Sequence, residues 1–133
     1  MRYFLVIVLF VSNYIVAQTS DFIKGADISF VPQIEYLGGA FTIGGTQTDP
    51  VEVFSQNGVD YIRLRLWHTP TDGYCGLAKT IQMATRIKQS GSKFLLDIHY
   101  SDTWADPAHQ TKPVAWQSLT YTQLVDSIYS YTY

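Results

Sequence analysis

Asp60-Tyr-Ile-Arg-Leu-Arg-Leu-Trp67 alternates with a period of two, so an extended chain places Ile62, Leu64 and Leu66 on one face and Tyr61, Arg63, Arg65 and Trp67 on the other. The apolar face suits a covering layer of helices. The other face has to satisfy two arginines, and buried charge is costly unless it is paired. The flanking strand-like stretches supply partners. In Lys93 to Tyr100 (KFLLDIHY), Leu95, Asp97 and His99 alternate with Phe94, Leu96, Ile98 and Tyr100, so Asp97 and His99 share a face. In Gly25 to Phe30 (GADISF), Asp27 and Ser29 do the same. Arginines opposite Asp27 and Asp97 make physical sense in a polar, enclosed centre, such as the interior and mouth of a barrel.

Helical stretches separate these strands. Pro50 to Gln56 is closed by Asn57 and Gly58, which suit a left-handed C-cap. Leu77 to Gln89 carries Ile81, Ala84, Ile87 and Lys88 at helical spacing, with Gly91 just beyond. Leu119 to about Tyr131 has Leu124, Val125 and Ile128 as its stripe. Strands alternating with helices predict βαβ units and a parallel sheet. A doubly wound sheet would carry a glycine-rich phosphate loop after its first strand. Here that strand leads into a long polar loop holding Glu35, and Gly38, Gly39, Gly44 and Gly45 do not form the fingerprint. The expected fold is therefore α/β, a (β/α)8 TIM barrel truncated to about its first three β/α units, since a complete barrel takes about 250 residues.

The first seventeen residues read as an export signal: Arg2 is the positive end, Phe4 to Val11 the apolar run and Ala17 the small residue at cleavage. Ser12 and Asn13 break that run well short of the ~18 apolar residues a spanning helix needs. Residues 18–133 are then the N-terminal part of the barrel, in a secreted or periplasmic protein with no membrane attachment after cleavage. The formal charge of -2 comes from scattered residues and gives no reason to expect a nucleic-acid partner. A single cysteine, Cys75, allows no intrachain disulfide. It reads as a plain free thiol, because no histidine adjoins it.

Barrel active sites gather where strands end and βα loops begin. Those places hold Asp27-Ile-Ser29, then Arg63-Leu-Arg65-Leu-Trp67-His68, then Asp97-Ile-His99-Tyr-Ser-Asp102-Thr-Trp104-Ala-Asp106-Pro107, with Trp116 after Pro113-Val-Ala. Arg63, Arg65 and Asp97 read first as an ion network filling the interior, with support of a catalytic carboxylate as the second reading. Asp27 divides between those roles. His99 at a strand end is aimed at the cleft, to bond a sugar hydroxyl or orient an acid/base. Trp67, Trp104 and Trp116 are candidates for core or for stacking on sugar rings, Trp104 foremost. Asp102 and Asp106 suit loop closure through backbone N–H groups, with sugar contact as the lesser alternative. His68 and His109 read as solvated loop positions.

Gly25-Ala-Asp-Ile-Ser, Asn57-Gly-Val-Asp-Tyr-Ile-Arg-Leu-Arg-Leu-Trp, Leu96-Asp-Ile-His-Tyr-Ser-Asp-Thr-Trp-Ala-Asp-Pro and Lys112-Pro-Val-Ala-Trp together resemble glycoside hydrolase family 53, the arabinogalactan endo-β-1,4-galactanases. The resemblance implies a retaining endo-hydrolase of β-1,4-galactan on a (β/α)8 barrel. It implies galactan or arabinogalactan side chains of pectin as the polysaccharide partner; a monomer is expected at full length, and neither a cofactor nor a metal site is expected among the residues of this chain. The family's two catalytic glutamates follow its fourth and seventh strands. Glu35 and Glu52 are the only glutamates here and match neither, so no catalytic residue is assigned and the chain alone is expected to be inactive. Asp27, Arg63, Arg65, Asp97, His99, Asp102, Trp104 and Trp116 are the residues expected to bind substrate or support the site.

Two other classes are weaker. A metal-dependent barrel hydrolase would draw on His99, Asp102, Asp106 and His109, but their spacing matches no metal motif. A non-catalytic carbohydrate-binding module is usually a β-sandwich, without helices between its strands.

Overall fold

A computed structural model describes residues 22–133. The export signal expected over residues 1–17 lies outside the described residues. The elements run β1 (Gly25–Asp27), α1 (Val31–Tyr36), β2 (Thr42–Ile43), β3 (Thr46–Gln47), α2 (Pro50–Gln56), β4 (Tyr61–Leu66), α3 (Leu77–Ser90), β5 (Lys93–Ile98), a 3-10 turn at Val114–Trp116, and α4 (Tyr121–Thr132).

β1, β4 and β5 form a parallel sheet in the order β1-β4-β5, with Asp27 opposite Arg63, Arg63 opposite Leu95, and Arg65 opposite Asp97. The alternation read from β4 is therefore correct. Ile62, Leu64 and Leu66 are buried on one face, and Arg63 and Asp97 share the other. The core beneath the apolar face is Ile28, Val31, Val51, Ile62, Leu64, Met83 and Ile87.

The stretch expected as one long polar loop after β1 holds three elements. α1 is one turn and a half long and starts with Pro32 in its first turn, but its N-cap, Phe30, offers no side-chain acceptor. It is held by tertiary contact: Val31 is buried, and Glu35, placed by the helix, accepts from both terminal nitrogens of Arg86 at 2.9 Å. β2 and β3 pair as a hairpin across Gly44 and Gly45, whose φ of 56° and 84° are what a two-residue type I′ turn requires.

α2 begins as its sequence indicates. Asp49 caps it by accepting from Val51 N at 2.8 Å, Pro50 opens the first turn, and Glu52 lies in that turn, favourable to the helix dipole. Asp49 also accepts from Arg86, at 2.7 Å from Nη2 and 3.0 Å from Nε. One guanidinium on α3 thus binds α1 and the start of α2 together. Its hydrogen bonds to Glu35, with those to Asp49, hold the Arg86 guanidinium above its already high range.

The face of α3 turned to the sheet differs from the expected stripe. Ile87 is fully buried and Ala84 packs against the core, but Ile81 is 56% exposed and Lys88 is exposed; Thr80 and Met83 lie inside instead. The reason is local. The Thr80 hydroxyl donates to Arg65 O at 3.3 Å, fixing that face on β4, and Met83 occupies the space beneath it. In α4, likewise, Val125 is exposed while Leu124, Ile128 and Tyr131 are half-buried.

Ile87→Ala is expected to cost about 2–5 kcal/mol, the usual range for truncating a buried aliphatic side chain. Ile81→Ala is expected to stay within about 0.5 kcal/mol, as exposed positions do. Urea unfolding of the two variants checks the assignment of faces.

Candidate active site at the strand ends

The C-terminal ends of the three parallel strands converge on one charged cluster. Arg63, in the middle of β4, donates from Nη1 to Asp27 Oδ2 at 2.9 Å and from Nη2 to Asp97 Oδ2, bridging the strands on either side. Asp97 Oδ2 also meets His99 Nε2 at 2.8 Å. Asp27 Oδ1 accepts from Ser29 N at 3.0 Å and from Ser29 Oγ at 2.6 Å, and that hydroxyl accepts from Arg65 N at 2.8 Å. Asp27 Oδ2 thus ties β1 to β4 directly, and Oδ1 does so through the Ser29 hydroxyl.

Arg65 is the most enclosed of these charges, its side chain only 3% exposed. Its Nε lies 3.4 Å from Asp27 Oδ2, and its guanidinium carbon sits 4.3 Å from the Phe30 ring centre and 4.0 Å from that of Trp104. A cation between two aromatic faces gains roughly 0.5–2 kcal/mol per ring. This sandwich explains how a buried arginine is tolerated beside a single carboxylate. Trp104 keeps its other side open, at 53% exposure, and Trp67 packs edge-on to it at 5.8 Å. Arg65 Nε and Nη1, Trp67 Nε1 and His99 Nδ1 are buried and find no hydrogen-bond partner among the described residues, Nε having only its 3.4 Å approach to Asp27.

The eight expected site residues divide into two groups. Asp27, Arg63, Arg65, Asp97, His99 and Trp104 stand together on the inner side of the sheet. Asp102 and Trp116 stand apart and support the loops. Asp102 accepts from Thr69 N at 2.9 Å and Val114 N at 2.8 Å, joining the loop after β4 to the segment before α4. Trp116 is 5% exposed and lies within a packed aromatic cluster with His68, Tyr100 and Tyr131. Asp106 accepts from Ala108 N and His109 N, and its bond to the His109 side chain holds its carboxyl below the usual range.

His68 is a correction. Expected as a solvated loop residue, its side chain is only 21% exposed, with its ring 4.7 Å from Trp116 and 5.0 Å from Tyr131 and its Nδ1 2.8 Å from Thr69 Oγ1. Its partners are about fifty and sixty residues away, beyond the reach of local pattern. Glu35 is another, being on α1 and held by Arg86, away from the strand ends. Cys75 is the free thiol expected, buried in the turn before α3 with φ of 59°, and burial pushes its thiol up. No three His, Cys, Asp or Glu side chains among the described residues gather as a metal site.

Phe30 and Tyr131 also serve the site and lie outside the eight expected residues. Phe30 follows the GADIS stretch with no periodic signal of its own. Tyr131 had one, because Leu124, Ile128 and Tyr131 fall at i, i+4 and i+7. Its hydroxyl lies 3.3 Å from both Leu66 O and His99 O, and bridges the ends of β4 and β5.

Parallel strands joined by helices, with charges and aromatic rings collected at the carboxyl ends, define the class: this is part of a (β/α)8 barrel of the TIM type. The sequence profile of glycosyl hydrolase family 53 matches residues 23–133, and the chain belongs to that family. It is 40% identical over 124 residues to an arabinogalactan endo-β-1,4-galactanase of Cellvibrio japonicus, covering 92% of this chain and 33% of that protein. It is 45% identical over 112 residues to an uncharacterized protein of the bgaB 5′ region of Niallia circulans, covering 84% of this chain and 31% of that one. The family 53 catalytic domain of Ignisphaera aggregans superposes with a TM-score of 0.79 at 42% identity, over 85% of this chain and 34% of its own. The chain thus spans about a third of the length of the curated relatives it matches.

Burial pushes the Tyr131 phenol up to about 12 from an ordinary 10.0. The fold disfavours the tyrosinate, so this contribution to stability is complete below pH 10.0 and fades as the pH rises toward about 12. Tyr131→Phe should lose about 1 kcal/mol at neutral pH, the worth of a shared hydrogen bond, and should lose less further stability than the parent in the alkaline range. Urea midpoints at pH 8 and about pH 11 read both effects.

Proposed function

We propose that this chain is the N-terminal section of a retaining endo-β-1,4-galactanase acting on galactan or arabinogalactan, and that it does not hydrolyse galactan by itself. The observation that carries the first half is the inner-face cluster of Asp27, Arg63, Asp97 and His99, beside Arg65 and the open face of Trp104. Two relatives that share this stretch are named as endo-β-1,4-galactanases. In this reading Arg63 and Arg65 set a positive field toward a nucleophilic carboxylate, Asp27 and Asp97 hold those arginines in place, and His99 bonds a sugar hydroxyl or the acid/base. Trp104 presents an aromatic face to the C–H face of a galactose ring, as apolar sugar faces favour. Asp102 and Trp116 keep the surrounding loops in position.

Retaining hydrolysis needs two carboxyl groups about 5–5.5 Å apart across the anomeric carbon, one protonated and one ionised. Neither glutamate of this chain is available for that. Glu35 is neutralised by Arg86 in the helical layer, and Glu52 accepts from Gln56 Nε2 at 2.8 Å on α2. The aspartates at the strand ends are committed to arginines or to backbone N–H groups. We read residues 1–17 as an export signal that sends the protein to the periplasm or beyond the cell, where plant polysaccharide is met.

A reducing-sugar assay with purified chain and β-1,4-galactan is expected to show no turnover above a heat-denatured control. Clear turnover would refute the claim of inactivity. Galacto-oligosaccharide titrated into the chain is expected to perturb the indole N–H resonance of Trp104, and Trp104→Ala to weaken that binding by about tenfold, the loss of one stacking contact of 1–1.5 kcal/mol.

A further inference from the structure

The turn between α2 and β4 pairs a reactive dipeptide with a backbone that restrains it. Asn57 closes α2 and Gly58 follows, both exposed, with Gly58 at a φ of 81°, a left-handed conformation that glycine adopts without strain. The glycine that the cap requires also leaves its backbone nitrogen unshielded by any side chain. An asparagine followed by such a nitrogen can cyclise. Gly58 N attacks Asn57 Cγ, the new C–N bond closes a succinimide ring, and Nδ2 departs as ammonia with the proton that Gly58 N gives up. Water then adds to one of the two imide carbonyls. Breaking the bond from Gly58 N to Cγ yields aspartate; breaking the bond from Gly58 N to the main-chain carbonyl carbon yields isoaspartate, whose backbone runs through the side-chain carbons. In sum, water is consumed, ammonia is released and a carboxylate is gained.

The folded chain opposes this attack in three ways. The Asn57 ψ of 16° turns Gly58 N toward the nitrogen of Asn57 itself and away from the side on which the carboxamide stands. Gly58 N is engaged, donating to Ser55 O at 3.0 Å, and the next amide, Val59 N, donates to Phe54 O at 3.1 Å. The carboxamide is held as well, its Nδ2 donating to Val53 O at 2.8 Å. Phe54 and Val59 pack against the core, so the cap is anchored on both sides of the dipeptide. We propose that Asn57-Gly58 is a deamidation site gated by the cap of α2, slow while the cap is made and fast once it opens, and that the isoaspartate product weakens the fold at the entry to its central strand. Isoaspartate lengthens the backbone inside the cap, so the bonds from Gly58 N and Val59 N cannot both keep their native geometry, and the donor to Val53 O is gone. β4 begins just beyond, where Asp60 N and Tyr61 N donate to Lys24 O at 2.8 and 3.2 Å. The lesion therefore falls between the core anchor of α2 and the strand that carries Arg63. None of this depends on the galactanase reading.

The test is incubation of the whole chain in mildly alkaline buffer across a urea series. Trypsin cuts after Lys24 and Arg63, and Asn57 is the only asparagine in the peptide between them, so the mass gain of amide-to-acid conversion in that peptide reports the site. Conversion in native buffer is expected to be about tenfold slower or more than in unfolding urea, with the rate following the opened fraction. Phe54→Ala, which removes one anchor and leaves the dipeptide intact, should convert several-fold faster than the parent in native buffer; should that variant fail to fold, the urea series of the parent still decides. The isoaspartate form, isolated by its extra negative charge and identified by enzymatic isoaspartyl methylation, should show a lower urea midpoint than the parent. Equal rates in native buffer and in unfolding urea would overturn gating by the cap, and no conversion in the unfolded chain would overturn the site itself. An unchanged midpoint would overturn its effect on the fold.

Discussion

Arg63 is the point on which the three strands agree. It lies on the central strand and reaches a carboxylate on each neighbour, so the parallel register that sets Asp27 and Leu95 beside it also places Asp97 within reach. A shift of one residue in either pairing would send an aspartate to the helix-covered side. There it would meet Ile62 and Leu64 instead of a guanidinium, at the cost of burying a lone charge. Electrostatics and hydrophobic burial therefore select the same register from opposite faces of one strand.

The second arginine is accommodated differently. Arg65 shares Asp27 with Arg63, and its flat guanidinium is sealed between Phe30 and Trp104. A lysine would fit this place poorly, since an ammonium lacks the planar surface that two stacked rings require. Charge is held at the mouth of the barrel by aromatic rings as much as by carboxylates. Around it, Asp102 and Tyr131 fasten the loops and strand ends from outside the cleft without entering it.

What the amino-acid pattern reveals follows from how local each signal is. β4, β5, α2 and α3 are written in alternation, helical spacing and cap residues, and the structure has them within a residue or two of their expected bounds. The inner-face membership of Arg63, Arg65, Asp97 and His99 follows from alternation alone. α1 escapes notice because six residues with Pro32 and no capping side chain hold a helix only through tertiary contact, from the burial of Val31 and from Arg86, fifty-one positions from Glu35. The turn at Gly44-Gly45 carries a hairpin signature, but two-residue strands are too short to display a period. His68 and Trp116 acquire their roles from contacts across the fold, which no window of sequence contains.

The spacing of the charge bridge also bears on how the chain reaches its structure. Asp27 and Arg63 are 36 residues apart, and Arg63 and Asp97 are 34 apart. A hairpin can zip from its turn, but a parallel pair gains nothing until an entire crossover has closed, and that entropy must be spent first. Each ion pair can therefore form only with or after the closure of the crossover between its two strands, and until then its arginine stays hydrated.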